Sequence, residues 1–184
     1  MNIFENAVRV GDRPVTTPAR VRYPIGLQKI LAPTDLTPDG RKAVEYALAL
    51  AECFDAQLTL LHVYDPPHLY DYARELNDYS VADLIRRNAQ NGLDSLWSEI
   101  REEYPRTDTE LRCGVPAEEI VAAAKDLDVD LIVISTHNYN WFTHLMSGSD
   151  AEQVLRHAPC PIMVVREKEH EFVTTTANAA RQVM

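Results

Sequence analysis

Only six of the 184 residues are glycine, and none stands in a G-x-G-x-x-G, G-x-x-x-x-G-K-[ST] or G-x-S-x-G frame. A dinucleotide fingerprint, a phosphate loop and a nucleophile elbow are therefore all missing. There is no H-E-x-x-H. The six histidines are scattered. His137 and His144 are seven apart but fall in an expected loop, so no metal site is assigned. Basic residues are outnumbered: eighteen Lys and Arg against twenty-eight Asp and Glu leave a net charge of −10. A chain that grips nucleic acid by its phosphates needs the opposite sign. No apolar run nears the ~20 residues of a membrane span. The first twenty residues, with Arg9, Asp12, Arg13, Pro14, Pro18 and Arg20, hold no signal-peptide core. The three cysteines, Cys53, Cys113 and Cys160, form no C-x-x-C, and each has apolar neighbours in sequence. The expectation is a cytoplasmic chain with no membrane or nucleic-acid partner.

What is present is ordinary globular usage, 46% apolar and 25% charged, in a length suited to one domain. Residues 1–27, with Pro14, Thr16, Thr17, Pro18 and Pro24, read as an N-terminal arm. Residues 28–166 read as the domain and 167–184 as a polar C-terminal tail. Lys29–Asp35 is an apolar run with a polar end, a buried strand. Thr37 then offers a helix cap and Pro38 a first helical residue. Ala43, Val44, Ala47, Leu48 and Ala51 recur at helical spacing over 38–54. Gln57–Val63 is a second strand, and 66–80 a tyrosine-containing connection. Ala89, Leu93, Leu96 and Ile100 mark a second helix, and Glu110–Gly114 a third strand. Pro116 opens a third helix with Glu118 and Glu119 in its first turn, where carboxylates suit the helix dipole. Asp130–Ser135 is the most apolar strand. Ser149 caps a fourth helix to about His157, and Pro161–Val165 is the last strand. Strands and helices alternate, so the expected fold is a single open, doubly wound parallel sheet with helices on both faces, Rossmann-like.

Four stretches carry a family likeness. They are Lys29-Ile-Leu-Ala-Pro-Thr-Asp35, Leu60-Leu-His-Val63, Leu131-Ile-Val-Ile-Ser-Thr-His137 and Gly148-Ser-Asp-Ala-Glu-Gln-Val-Leu-Arg-His-Ala-Pro-Cys-Pro-Ile-Met-Val-Val165. Together they resemble the universal stress protein (UspA-like) family over about 28–166. The resemblance implies a five-stranded sheet of order 3-2-1-4-5. In that order the first and fourth strands are neighbours at a topological switch point, where open α/β sheets bind ligands. It also implies a dimeric stress-response regulatory module with an adenine-nucleotide cleft, at best a slow ATPase and not an enzyme in the ordinary sense. ATP or AMP is the implied ligand, with Mg²⁺ accompanying ATP. Pro33, Thr34, Asp35 and Val63 would line the adenosine end, with Asp35 accepting hydrogen bonds from ribose. Ile134, Ser135 and Asn138 would approach the sugar and phosphates. Gly148, Ser149 and Asp150 would face the phosphates. The homodimer would pair the last strand, 162–165, edge to edge.

The chain departs from the ATP-binding pattern of that family, G-x2-G-x9-G-[ST]. Ser135-x2-Asn138-x9-Gly148-Ser149 keeps the spacing and only the last pair of letters. Asn138 stands where a glycine lets backbone N–H groups face phosphates, although Asn tolerates the left-handed conformation. Asp150 acts in two opposite ways. Without metal it repels a triphosphate, by about 4 kcal/mol at ~4 Å in an effective dielectric of ~20, against about 8 kcal/mol for a micromolar complex. With Mg²⁺ bound it could serve as a ligand instead. Plainer readings stand beside these. Asp35 caps the strand-to-helix turn, and Ser149 and Asp150 cap an empty helix. Trp141, Phe142, Leu145 and Met146 pack over the sheet end, and Cys160 is a small buried residue. The alternative function is a scaffold that binds no nucleotide and is regulated by phosphorylation or partner binding.

Overall fold

The computed structural model describes residues 25–38, 40–64, 80–135, 150–166 and 173, with the side chains of 150–153 excepted. The elements in chain order are β1 (Lys29–Pro33), α1 (Arg41–Phe54), β2 (Gln57–Tyr64), α2 (Ser80–Glu103) and β3 (Thr107–Cys113). They continue with α3 (Pro116–Asp126), β4 (Leu131–Ser135), α4 (Asp150–His157) and β5 (Ile162–Val165). The sheet order is β3-β2-β1-β4-β5, and every pair is parallel.

Successive residues of a strand face opposite sides of the sheet, and here both sides are apolar. Ile30, Ala32, Leu58, Leu60, Val133 and Val165 face α1 and α2, against Ala43, Val44, Tyr46, Ala47, Leu93 and Ile100. Leu31, Leu61, Ile132 and Ile134 face α3 and α4, against Ile120, Ala123, Ala124 and Val154. Ile30, Leu58 and Leu60 are fully buried, each contributing roughly 1.5–3 kcal/mol of transfer free energy.

Element ends differ from the sequence reading where local hydrogen bonds compete with the helix or strand. Regular helix starts at Arg41, not Pro38. Thr37 is not its cap: the N-cap is Gly40, without a side-chain cap, and Thr37 Oγ1 instead accepts from Gly40 N–H at 3.2 Å inside the preceding turn. The 37–40 turn precedes the helix because the Asp35 carboxylate holds Thr37 from the other side. α2 begins at Ser80, well before the apolar positions that revealed it, and β3 begins at Thr107. The apolar setting expected for the cysteines is overturned at two of them. Cys53 and Cys113 are exposed, and Cys160 is half-buried.

Two features create the site. α1 and α4 leave the neighbouring strands β1 and β4 for opposite faces of the sheet. In addition, the β1–β4 ladder runs over Ile30↔Leu131 and Leu31↔Ile132 and stops, while the β1–β2 ladder continues to Pro33↔Leu61. The strands therefore part at their carboxyl ends and open a crevice at the switch point.

Candidate functional site

The crevice holds a cavity of about 100 Å³ bounded by Pro33, Thr34, Asp35, Gly40, Val63 and Ser135, with His62 also at its wall. Leu61, Pro116 and Ile120 supply an apolar floor. Five residues expected at the site are thus brought together: Pro33, Thr34, Asp35, Val63 and Ser135. Ile134 sits one residue before the strand end and packs into the core beside α3, outside the lining. Asn138, Gly148 and Ser149 lie outside the described residues, as does the apolar 141–146 segment. Asp150 is the first residue of α4; its side chain lies outside the description.

Asp35 is fixed by its own loop. Its Oδ1 accepts from Thr37 N–H at 3.0 Å, and the Thr37 hydroxyl stands 2.8 Å from both carboxylate oxygens. The carboxylate fits only because residue 40 is glycine: a Cβ there would lie 2.3 Å from Asp35 Oδ1. Between them, Leu36 adopts φ 65°, a left-handed conformation that costs a leucine roughly 1–3 kcal/mol. Two contacts hold it. Leu36 N–H donates to Thr34 Oγ1 at 3.1 Å, and its side chain fills a notch on α2 where a Cβ on Gly92 would lie 2.8 Å from Leu36 Cδ1. Strain held in place at a cleft fits a binding loop.

His62 and Gly40 were not singled out as site residues from sequence. His62 stands inside the quoted Leu60–Val63 run, but only the ladder geometry gives it a task. Its Nδ1 lies 2.9 Å from the Thr34 carbonyl. That carbonyl accepts only, so Nδ1 carries the proton. Gly40 left no pattern, because its necessity lies in a contact across the turn.

Among the described residues no cluster of His, Cys, Asp and Glu is arranged to hold a metal. No helix among them is long and apolar enough to cross a membrane.

An open parallel sheet with helices on both faces and a crevice at its switch point defines a doubly wound α/β fold, a class in which ligands bind at that crevice. Within that class the chain belongs to the Universal stress protein family, whose profile matches residues 26–166. It is 31% identical over 144 residues to a universal stress protein of Methanocaldococcus jannaschii, covering 78% of this chain and 85% of that one. Among solved structures it is similar to universal stress protein UspA from Lactobacillus plantarum. The TM-score is 0.62 at 27% identity, over 78% of this chain and 100% of that one. A universal stress protein from Archaeoglobus fulgidus, solved in complex with dAMP, shares the fold. Its TM-score is 0.53 at 19% identity, over 75% of this chain and 96% of that one.

Proposed function

We propose that this chain is an adenine-nucleotide-binding regulatory module. The observation that carries the reading is the Val63 peptide, which has no rung to β1 among the described residues, at the wall of the cavity that Asp35 also lines. In β2 the Leu61 carbonyl accepts from Thr34 N–H at 2.8 Å, so the odd-numbered residues of β2 present their peptides towards β1. β1 ends at Pro33, and no backbone partner is found for Val63 N–H among the described residues. Val63 therefore presents a donor and an acceptor at the cavity wall. That pair complements adenine, which offers a ring-nitrogen acceptor beside its exocyclic amine donor. Guanine and hypoxanthine place a carbonyl where adenine has the amine. The Asp35 carboxylate suits ribose hydroxyls. The dAMP complex of the Archaeoglobus fulgidus relative supports the same ligand class.

Calorimetric titration of AMP, ATP with and without Mg²⁺, and IMP tests this. AMP should bind, and IMP at least tenfold more weakly, since a mismatched edge leaves buried polar groups unpaired. No heat with any adenine nucleotide, together with no nucleotide in native mass spectra of the purified protein, would leave the scaffold reading in its place. The reading assigns Pro33, Thr34, Asp35 and Val63 to the nucleoside. It assigns Ile134, Ser135, Asn138, Gly148, Ser149 and Asp150 to sugar and phosphates, and it assigns no catalytic step.

The module is proposed to work as a homodimer through β5. The two sheet edges differ. β3 carries Asp108, Glu110 and Arg112, with Arg112 ion-paired to Glu110 and Asp126 at 3.1 and 2.9 Å. Charges on an edge discourage pairing. β5 offers Ile162, Met163 and Val164 with no charge, and Val164 is exposed. Sedimentation at micromolar concentration should give a dimer, and Val164→Lys a monomer. A wild-type monomer refutes the assembly.

A further inference from the structure

We propose that His62 is a positioning residue: its imidazole occupies the Thr34 carbonyl and so keeps the Val63 peptide open for a ligand. The ligand rests on the nucleotide reading above; the device rests only on the bonds between β1 and β2. In a parallel ladder alternate residues of a strand bond alternate neighbours. Leu61 O faces β1, where it accepts from Thr34 N–H at 2.8 Å. Tyr64 O faces β3, where it accepts from Gly114 N–H at 3.1 Å. The next rung towards β1 would be Val63 N–H to Thr34 O. That rung is replaced. The Thr34 carbonyl is taken by His62 Nδ1 at 2.9 Å, from a side chain one residue before the amide it supplants. A backbone N–H left without its rung is costly unless something else fills it, and here it lies at the wall of the switch-point cavity. The ladder thus ends one rung early, and a side-chain hydrogen bond ends it.

The test compares three variants of the full chain by amide hydrogen exchange and AMP titration. In His62→Asn the amide nitrogen stands two bonds beyond Cβ, as Nδ1 does, so the donor is kept. His62→Gln moves it one bond further, and His62→Ala removes it. In the free wild-type protein the Val63 amide should exchange at least tenfold faster than that of Leu61, which lies within the ladder. In His62→Ala and His62→Gln the Val63 amide should slow at least tenfold as the rung closes on Thr34 O. AMP affinity should fall at least tenfold in the same two variants. His62→Asn should keep both wild-type values. A wild-type Val63 amide as slow as Leu61 overturns the proposal without any variant. A folded His62→Ala or His62→Gln protein whose Val63 amide stays fast overturns it as well. Exchange is read on the free protein, so fast Val63 exchange in a wild type that binds no AMP refutes the nucleotide reading alone.

Discussion

Gly40→Ala separates what Asp35 does for the fold from what it does for a ligand. The added Cβ would stand 2.3 Å from Asp35 Oδ1, 3.4 Å from Asp35 Cγ and 3.6 Å from the Thr37 carbonyl oxygen. Only the first contact is intolerable, and it involves the end of a side chain that can rotate away. The backbone gives no reason for glycine, since residue 40 has φ −69° and ψ −17°, ordinary helical values. Alanine in such a conformation gains about 0.4–1 kcal/mol by restricting the unfolded chain. Against this, the displaced carboxylate loses its bonds to Thr37, at roughly 0.5–1.5 kcal/mol each in a half-exposed loop. The loss is the larger, so unfolding free energy should fall by about 0–2.5 kcal/mol. Ligand affinity has no such offset. A carboxylate swung off the ribose loses roughly 1–3 kcal/mol, or about 5- to 150-fold in Kd. Urea denaturation and AMP calorimetry on the same preparation give both numbers. A variant that binds AMP as the parent does refutes the claim that the 35–40 turn aims Asp35. A loss of stability above about 3 kcal/mol refutes the claim that the carboxylate is free to move aside.

Three further expectations follow from charge and burial. Asp150→Val should strengthen metal-free ATP binding by about 1–3 kcal/mol and leave adenosine unchanged, with the gain shrinking as salt rises; equal ATP affinity in calorimetry would shift the obstacle to Asn138. Arg41 donates to Glu99 at 2.7 Å, and this hydrogen bond holds the Glu99 carboxyl below its ordinary range. A carboxyl lowered on folding gives stability that is full above its unfolded pKa, about 4.3, and is lost as pH falls through the lower folded value. Glu99→Gln should therefore remove a part of the acid-limb slope below pH ~4.5, worth under about 1 kcal/mol because both side chains are largely solvated; an identical denaturation profile from pH 2 to 7 would show that the pair contributes nothing. Burial raises the Cys160 thiol above its ordinary value, while Cys53 and Cys113 are exposed, so iodoacetamide at pH 8 should label Cys53 and Cys113 first, and early Cys160 labelling in peptide mass spectra would contradict its half-buried place.

The frame of the fold was legible because its signals are local and repeated. Apolar runs such as Leu131–Ile134 need burial on both faces, and Ala43, Val44 and Ala47 can share a face only on a helix. The strand order itself came with the family resemblance and is the order observed. Element ends were less legible. α2 extends from Ser80 through exposed Val81 and Leu84, which interrupt the apolar stripe that marks a buried helix. The exposure of Cys53 depends on which side of α1 meets the sheet, and neighbours in sequence do not determine that. The site divides in the same way. Pro33, Thr34, Asp35 and Ser135, which line one cavity, were named through the family resemblance, which points to strand ends. Gly40 and His62 were not, because each acts through an atom brought near by folding: the carboxylate of Asp35 and the carbonyl of Thr34.

The two readings of Asp35, turn cap and ligand acceptor, exclude each other only if the carboxylate has too few acceptor sites. An ionised carboxyl has about four. Thr37 N–H uses one on Oδ1, and the single hydroxyl proton of Thr37 uses one more, shared between oxygens that both stand at 2.8 Å. About two remain, enough for two ribose hydroxyls. Capping also removes the rotational freedom that a ligand would otherwise have to freeze, a cost of roughly 0.5–1.5 kcal/mol per side chain on binding. The contacts that close the turn after β1 therefore leave Asp35 fixed in the orientation that the proposed ligand would use. Gly40 admits the carboxylate, Leu36 accepts backbone strain to turn the loop, and Gly92 receives the Leu36 side chain. A cap that served the helix alone would need neither the strained leucine nor the notch on α2. Thr37 by itself already satisfies the Gly40 amide. The strained leucine and its notch lie on the α2 side of the loop, and the turn they fix holds Asp35 and Gly40 at the cavity, where a fixed carboxylate is of use to a binding role and not to a capping role.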